Sequence, residues 1–487
     1  MEIINKSIKE LNELLIKKEI KAVELLEEFL KRIEQYDKKI NSFITISKEE
    51  AYQTAREVDK LLEKKEQINL ISGIPIGIKD NICTKNIKTT CASKMLSNFI
   101  PPYDATVIKK IKEQKGIIIG KTNLDEFAMG SSTETSYFGV TKNPFNYECI
   151  AGGSSGGSAA AVSARFVPYT LGSDTGGSIR QPAALCGVSG LKPSYGLVSR
   201  YGLIAYASSL DQIGPIAKSA EDCAILLDVI AGKDEFDSTS VNFKKDNYLA
   251  KINGDIKGIK IGIPREFFQE GLNDEIKINI ENTIKFFEKE GGIIKDISLT
   301  MNEYVVATYY ILAPAEASSN LARYDGVKYG YRTEKYENLI DMYEKTRAEG
   351  FGNEVKRRIM LGTYTLSAGY YDAYYKKAQQ VRSLIRNELI KKFEEVDVII
   401  APTTPTPAFK IGEKINNPLE MYLFDIYTLS VNLAGICAIS IPCGFTKDNL
   451  PCGLQIIGNA FEEAKILKLA HYFQQQTDYH KKIPFLK

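Results

Sequence analysis

Two glycine- and serine-rich segments, at residues 152–158 and 172–178, contain the strongest candidates for nucleophilic serines in this chain. A serine hydroxyl becomes a nucleophile when a neighbouring base takes up its proton. The usual base is histidine, but the chain has only two, His471 and His480, and both lie within its last seventeen residues. The end of a chain is a poor place from which to hold a base beside a nucleophile. If these serines react, we therefore expect a lysine as their base.

The second of these segments has the composition of an oxyanion hole. Gly176 and Gly177 permit backbone conformations and close approaches that other residues resist, so Thr175–Ser178 could turn several N–H groups toward one point. Each well-placed donor of this kind stabilises a developing oxyanion by about 3–4 kcal/mol. Residues 179–185 predict a helix whose N-terminal end adds positive potential, with Ser178 placed at the turn for attack. The alternative is a flexible Gly/Ser loop, but the apolar residues on both sides favour a loop held in a core.

Lys79 is the candidate base. It follows a short apolar run, residues 74–78, which predicts a buried strand, and it precedes Asp80 and Asn81. Burial disfavours the charged ammonium and lowers the pKa of a lysine, which can then accept a proton near neutral pH. The alternative is an ordinary surface lysine. The position of Lys79 at the end of an apolar strand favours the buried base.

Strands and helices alternate along the chain, which predicts an α/β fold with a central, mostly buried sheet. The predicted strands are residues 74–78, 116–120, 166–171, 259–263, 396–401, 438–441 and 454–457. The predicted helices include residues 221–231 and 274–289. We find no internal repeat or clear linker and predict one large domain over residues 1–487. Its predicted parts are N-terminal helices (1–65), a core with the Gly/Ser loops (66–300), a tyrosine-rich helical lobe (305–395), and the remaining core strands with a C-terminal helix (396–487).

The composition argues against several classes of protein. A formal net charge of +2 does not suit a dedicated nucleic-acid binder, although a partner subunit could hold nucleic acid. The eight cysteines include no C-x-x-C pair and histidines are few, so we expect no zinc site and reduced thiols. Gly120-Lys121-Thr122 resembles the end of a phosphate-binding loop, but residue 115 is lysine where that motif requires glycine. No signal peptide or membrane span is expected, which predicts a cytoplasmic protein.

Three motifs together resemble those of the amidase signature family: Lys79 in GIPIGIKDN, Ser154 in GGSSGGS and Ser178 in GSDTGGSIRQPA. The resemblance covers nearly the whole chain and implies a twisted mixed sheet covered by helices. It also implies a Ser-cisSer-Lys triad, in which Ser178 is the nucleophile, Ser154 the bridging serine after a cis peptide bond, and Lys79 the base. The backbone oxyanion donors that it implies are Thr175, Gly176 and Gly177.

Within that family, four segments are similar to the A subunits of tRNA-dependent amidotransferases: residues 122–139, 315–330, 350–364 and 367–379. Such subunits hydrolyse glutamine and pass ammonia to a B subunit, which amidates Glu-tRNA(Gln) or Asp-tRNA(Asn) with ATP and Mg²⁺. A small C subunit clasps the two. The resemblance therefore implies a heterotrimer, contact with aminoacyl-tRNA mainly through the B subunit, and no cofactor in this chain.

The same resemblance implies the residues that bind glutamine. Arg358 and Asp425 are expected at its α-carboxylate and α-ammonium groups, and Tyr309 in the pocket wall. Arginine suits this role because its guanidinium can hold a carboxylate through two hydrogen bonds.

Two other functions remain open. A stand-alone amidase acting on another carboxamide would share the triad but would need neither Arg358, Asp425 nor a partner. A non-catalytic assembly subunit would use the Gly/Ser loops only for packing, and the presence of Lys79, Ser154 and Ser178 together argues against it.

Overall fold

The computed structural model describes residues 3–243, 246–269, 271–414 and 417–486. Within them the strands are β1 Phe43–Ile46, β2 Pro75–Lys79, β3 Ile117–Thr122, β4 Lys142–Asn143, β5 Asn146–Ile150, β6 Tyr169–Asp174, β7 Ser189–Lys192, β8 Gln212–Ala217, β9 Lys260–Pro264, β10 Ile293–Ile297, β11 Val398–Pro402, β12 Cys437–Phe445 and β13 Pro451–Gly458. The helices are α1 Ile8–Ile16, α2 Ala22–Ile40, α3 Lys48–Glu63, α4 Thr106–Glu113, α5 Gly156–Ser163, α6 Arg180–Cys186, α7 Ala220–Ile230, α8 Tyr248–Lys251, α9 Asp274–Lys289, α10 Val305–Asn320, α11 Leu339–Gly350, α12 Asn353–Leu366, α13 Lys377–Lys392, α14 Pro418–Leu423, α15 Leu429–Ala434 and α16 Glu463–Gln476.

One mixed sheet forms the centre of the molecule, and the predicted α/β fold is confirmed. In the described part of the chain this sheet has eleven strands, in the order β1-β3-β2-β6-β8-β7-β12-β13-β11-β9-β10. β2 runs parallel to both of its neighbours, β3 and β6, whereas the strands from β6 through β8, β7, β12 and β13 to β11 pair antiparallel. Helices cover the sheet, as in the packing of α5 on β2, β6 and β8.

The parallel pairing of β2 and β6 decides where the reacting groups meet. Every residue of both strands is buried, so neither face of this part of the sheet reaches solvent. Strands that are covered on both faces carry apolar runs such as residues 74–78. Since parallel strands end at the same edge of the sheet, the ends of β2 and β6 bring Lys79 close to Ser173 and Asp174.

Several sequence predictions differ from the structure in their limits. The strand predicted at residues 166–171 is β6, at 169–174; Pro168, which has no N–H to donate to a sheet, directly precedes it. Within the helical lobe predicted at residues 305–395, α12 and α13 are separated near Gly369, which has a φ of +86°. The strands that sequence reasoning missed are β1, β4, β5, β7, β8 and β10.

The eight cysteines are all buried as free thiols. Across the residues that the structure describes, we find no helix with the length and apolar character needed to cross a bilayer. The same residues contain no group of three or more His, Cys, Asp or Glu side chains arranged to hold a metal ion.

Candidate active site

Lys79 lies at the end of β2 with its side chain wholly buried. Its Nζ donates to Ser154 Oγ at 2.7 Å, to Ser155 Oγ at 2.9 Å and to Ser173 Oγ at 3.0 Å. Ser154 and Ser155 immediately precede α5, and Ser173 lies in β6. The structure therefore places the predicted base in contact with the predicted bridging serine, as a proton relay requires.

Burial lowers the pKa of Lys79 to about 7, because the wholly desolvated ammonium is costly. Asp125, Asp174 and Asp211 act in the opposite direction, since their negative charges favour the protonated lysine. The net result is a lysine that holds and releases its proton in the neutral range, where a general base is most effective.

The pH dependence of turnover follows from this pKa. Lys79 must be neutral to accept a proton, and its neutral fraction falls as the pH drops below about 7. We expect kcat for amide hydrolysis at saturating substrate to fall about tenfold for each pH unit below about 6, and to level off above about 8. Steady-state assays between pH 5 and 9 check this. A profile that is flat down to pH 5 would contradict a lysine base with this pKa.

Ser154 and Ser178 lie in adjoining loops. The Gly153–Ser154 peptide bond is cis, as the family resemblance implies. The Ser155 N–H donates to the carbonyl oxygen of Ser178 at 3.1 Å, which ties the two loops together. Ser178 is 8% exposed whereas Ser154 is fully buried. Ser178 is therefore the more accessible of the two serines, and Ser154 is the one that contacts the lysine.

Asp174 fixes the loop that is expected to bind the oxyanion, by accepting hydrogen bonds from its backbone. One carboxylate oxygen of Asp174 accepts the Gly177 N–H at 2.8 Å, and the other accepts the Ile179 N–H at 3.1 Å. Gly177 has a φ of +140°, and a Cβ there would lie 2.3 Å from Thr428 Oγ1, so glycine is required. Because the Gly177 N–H already has an acceptor, we expect the N–H groups of Thr175 and Gly176 to bind most of the developing charge.

Arg180 and Asn432 hold Asp174 in turn. Arg180 pairs with both carboxylate oxygens, each at 3.1 Å, and Asn432 donates to Oδ1 at 2.8 Å. Burial alone would raise the pKa of Asp174, but Arg180, together with Lys192 and Asn432, outweighs burial and brings the pKa to about 2. The carboxylate is therefore ionised and keeps its backbone contacts at all physiological pH values.

Thr175 and Tyr309 complete the surroundings of the loop. The Thr175 hydroxyl donates to Asp211 at 2.6 Å, which fixes the start of the turn. A Cβ on Gly176 would lie 2.8 Å from the Tyr309 hydroxyl, so this ring packs against the glycine. Tyr309 thus lies beside the expected oxyanion donors, and its place in the pocket wall stays a prediction.

Arg358 is nearly fully buried and is held by two neighbours. It donates to the Tyr206 hydroxyl at 2.7 Å and to Glu354 Oε1 at 2.8 Å. The rings of Tyr206, Tyr310 and Tyr422 lie with their centres 5.5–5.6 Å from the guanidinium carbon. These contacts fix the guanidinium in one orientation.

A cavity of about 380 Å³ adjoins Arg358, within the size range of small-molecule sites. Ser131 lines this cavity together with Arg358, and its hydroxyl donates to Asp425. Burial raises the pKa of Asp425 to about 7, against the opposing effects of Ser131 and Arg358. Arg358 therefore lines the cavity directly, whereas Asp425 lies behind the wall that Ser131 forms and carries a negative charge only above about pH 7.

Sequence reasoning missed the side chains that support the site. Ser155 and Ser173 both contact Lys79, and Arg180 holds Asp174. Gln181 accepts from the Gly153 N–H at 2.9 Å and donates to the Ser131 carbonyl oxygen at 2.6 Å. Their position in the sequence could have indicated them, since each of these residues lies in or within a few positions of a glycine- and serine-rich segment.

The family model for Amidase matches residues 24–467 of the chain. The chain belongs to the amidase family. It is 59% identical over 484 residues to the A subunit of glutamyl-tRNA(Gln) amidotransferase from Sulfurihydrogenibium sp. (strain YO3AOP1), covering 99% of this chain and 100% of that one. It is 58% identical over 486 residues to the protein of the same name from Halalkalibacterium halodurans, covering all of both chains.

Among solved structures, this amidase resembles the crystal structure of the A subunit of glutamyl-tRNA(Gln) amidotransferase from Thermotoga maritima. The TM-score is 0.83 and the identity 43%, and the match covers 100% of this chain and 99% of that one. The likeness therefore extends over the whole length of this chain.

Proposed function

We propose that this chain is the glutamine-hydrolysing A subunit of a tRNA-dependent amidotransferase. The observation that carries the chemistry is the 2.7 Å hydrogen bond between the buried Lys79 Nζ and Ser154 Oγ. The full-length likeness to proteins named as A subunits of glutamyl-tRNA(Gln) amidotransferase supports the choice of substrate and assembly.

The proposed reaction begins with proton transfer. Neutral Lys79 takes a proton from Ser154 as Ser154 takes one from Ser178, and Ser178 Oγ attacks the γ-carboxamide carbon of glutamine. The backbone N–H groups of Thr175 and Gly176 bind the oxyanion. The one proton that the relay took from Ser178 passes to the leaving nitrogen, the C–N bond breaks, and ammonia departs. Water then attacks the glutamyl ester by the same relay and releases glutamate.

The partners follow from the fate of ammonia. In bulk water at neutral pH, ammonia would be protonated to unreactive ammonium, so a transfer enzyme must pass it directly to an acceptor. We propose a B subunit that binds aminoacyl-tRNA and uses ATP and Mg²⁺, and a C subunit that clasps the two, with no cofactor in this chain. The acceptor is Glu-tRNA(Gln), with Asp-tRNA(Asn) as a second candidate, which places the assembly in the cytoplasm.

Ammonia release from glutamine tests the proposal. The chain is assayed alone and with its co-expressed B and C subunits, with and without Glu-tRNA(Gln) and ATP, and with Ser178→Ala as the blank. Activity that needs Ser178 and rises with the partners and tRNA supports the proposal. Partner-independent hydrolysis of other amides, with little on glutamine, would instead make the protein a stand-alone amidase.

The proposed role of Arg358 makes a separate prediction. Lysine can neither keep the contacts to Tyr206 and Glu354 nor offer two parallel donors to a carboxylate. We expect Arg358→Lys to raise KM for glutamine by about 10- to 100-fold, the equivalent of one charged hydrogen bond, and to lower kcat much less. Steady-state kinetics with glutamine checks this.

The matched control is Arg323→Lys. Arg323 is exposed, donates to the main-chain oxygen of Asn320 and does not line the cavity beside Arg358. Its replacement should leave KM within about twofold, as for most surface changes. An unchanged KM in Arg358→Lys would remove this residue from the glutamine pocket.

A further inference from the structure

A second cavity, of about 590 Å³, lies where the two ends of the described chain come together. We call it the terminal cavity. Its walls come from the N-terminal segment, the end of α5, the start of α7, and α16 with the residues after it; the charged and imidazole groups on them include Glu10, Arg165, Lys218, Asp222, His471 and His480. Its volume falls within the range of small-molecule sites.

The terminal cavity is separate from the candidate active site. The helix α5 connects them, with Ser154 and Ser155 just before its first residue and Arg165 two residues after its last. Its eight residues span about 12 Å. Neither Lys79 nor Ser178 lines the terminal cavity.

Arg165 is a buried cation on this wall that forms no ion pair within the described residues. It is only 3% exposed, and its Nη1 donates to the Val162 carbonyl oxygen at 3.0 Å. Within the described residues its buried Nε has no hydrogen-bond partner, and no carboxylate lies within ion-pair distance of the guanidinium. Arg32 adds a like charge nearby, and the charge of Asp222 favours the guanidinium without contacting it as an ion pair. A buried guanidinium without an anion is costly, so an acceptor from outside the chain would be bound favourably.

The other cations of the terminal cavity, Lys218 and Lys481, cannot accept a hydrogen bond from Arg165. Lys218 is 7% exposed, and its ammonium donates to the main-chain oxygens of Asn5 and Lys6. Lys481 lines the cavity as well and pairs with Asp478 at 2.6 Å. Both add positive potential without supplying any acceptor to Arg165.

Three carboxylates also line the cavity, and each already has donors from the protein. These donors come from the N-terminal segment, residues 7–9: the Ser7 N–H to Glu10, the Lys9 ammonium to Glu221, and the Ile8 N–H to Asp222 at 3.0 Å. The three carboxylates therefore already accept hydrogen bonds from the protein, whereas the Arg165 Nε–H is a donor without an acceptor among the described residues.

We propose that the terminal cavity binds a small organic anion, with a carboxylate or phosphate group seated on Arg165. Such groups offer only acceptors and match the planar fork of a guanidinium. Lys218 and Lys481 attract the anion, and the remaining volume holds its organic part. The site is independent of the glutamine chemistry, because it shares no residue with the triad or with the Arg358 cavity.

Calorimetric titration tests the proposal on the full chain. The probes are inorganic phosphate and glycerol 3-phosphate, with sodium chloride at matched ionic strength as the blank. We expect saturable binding of glycerol 3-phosphate and at least tenfold weaker binding in Arg165→Gln. The control Arg265→Gln removes an exposed arginine that pairs loosely with Asp296, at 3.7 Å, and should bind like the wild type. If glycerol 3-phosphate binds more tightly than inorganic phosphate, the organic part of the ligand contributes to binding, as proposed. Equal affinity for the two probes would mean that the site recognises only the phosphate group and would contradict the organic part of the proposal.

A second measurement covers the case in which Arg165→Gln does not fold. Wild-type crystals soaked in selenate should show an anomalous peak within hydrogen-bond distance of the Arg165 guanidinium. The proposal is overturned if neither probe binds saturably to the wild type, if Arg165→Gln binds as tightly as the wild type, or if the selenate peaks lie only elsewhere.

Discussion

Ser178→Ala and Lys79→Met are each expected to lower kcat for glutamine hydrolysis by roughly 10⁴-fold or more while leaving the fold intact. Ser178 supplies the attacking oxygen. Lys79 Nζ lies 2.7 Å from Ser154 Oγ, and Ser154 is the residue expected to relay the proton of Ser178. Because the groups act as one unit, the double variant should be no slower than the slower single variant. The measurements are ammonia release for turnover and thermal denaturation for folding.

Lys192→Met is the matched control for Lys79→Met. Lys192 is also a lysine at the end of a strand and is 1% exposed, and among the described residues it donates only to the main-chain oxygen of Pro193, at 2.7 Å. Burial lowers its pKa to about 8, as burial also lowers the pKa of Lys79. Turnover in Lys192→Met should stay within a few-fold of the wild type. If both lysine variants lost activity equally, or if Ser178→Ala kept wild-type turnover, the triad assignment would fail.

The local patterns that are strong in this sequence predicted the core of the fold. The run at residues 74–78 is apolar, ends in Lys79 and forms β2, because a strand covered on both faces needs continuous apolar residues. The helix predicted at residues 274–289 is α9, which has the same limits and an Asn273 cap whose side chain accepts two backbone N–H groups. In both cases the signal lies within the segment itself.

The strands that were missed depend on their neighbours rather than on their own residues. β8, Gln212–Ala217, contains glycine and proline, yet it is wholly buried between β6 and β7. The antiparallel ladder and the helices packed on it outweigh its weak strand propensity. The limits of β6 shifted for the same reason, since pairing with β8 extends it through the polar Ser173 and Asp174.

In the candidate site, too, local motifs predicted some residues, whereas contacts between distant segments were not predicted. Sequence motifs gave the identities of Lys79, Ser154 and Ser178, but not the network that positions them. That network joins Asp174 and Arg180 to Asn432, which is 252 positions beyond Arg180 in the chain. A contact at this separation leaves no periodic or local trace in one sequence, because it exists only once α15 packs against the loop.

The Asp174–Arg180 pair should dominate the stability of this loop. Both side chains are wholly buried, and removing one partner leaves an uncompensated buried charge, which typically costs about 3–5 kcal/mol. We expect Arg180→Met to lower the free energy of unfolding by this amount at pH 7. Activity should fall as well, since Asp174 holds the Gly177 and Ile179 N–H groups beside Ser178. Urea denaturation and ammonia release measure the two effects.

The pH dependence separates this charge effect from lost packing. In the wild type the pKa of Asp174 is about 2, below its ordinary value of 3.8, so its stabilising effect is complete above about pH 4 and is lost only as the pH falls toward 2. In Arg180→Met only burial and the weaker partners remain, so the Asp174 pKa should rise and the carboxyl should be protonated under mildly acidic conditions. The difference in unfolding free energy between the two proteins should therefore shrink from pH 7 to pH 4.5. A difference that stays constant over this range would mean that Arg180 acts by filling space, and that the ionised Asp174 is not what holds the loop.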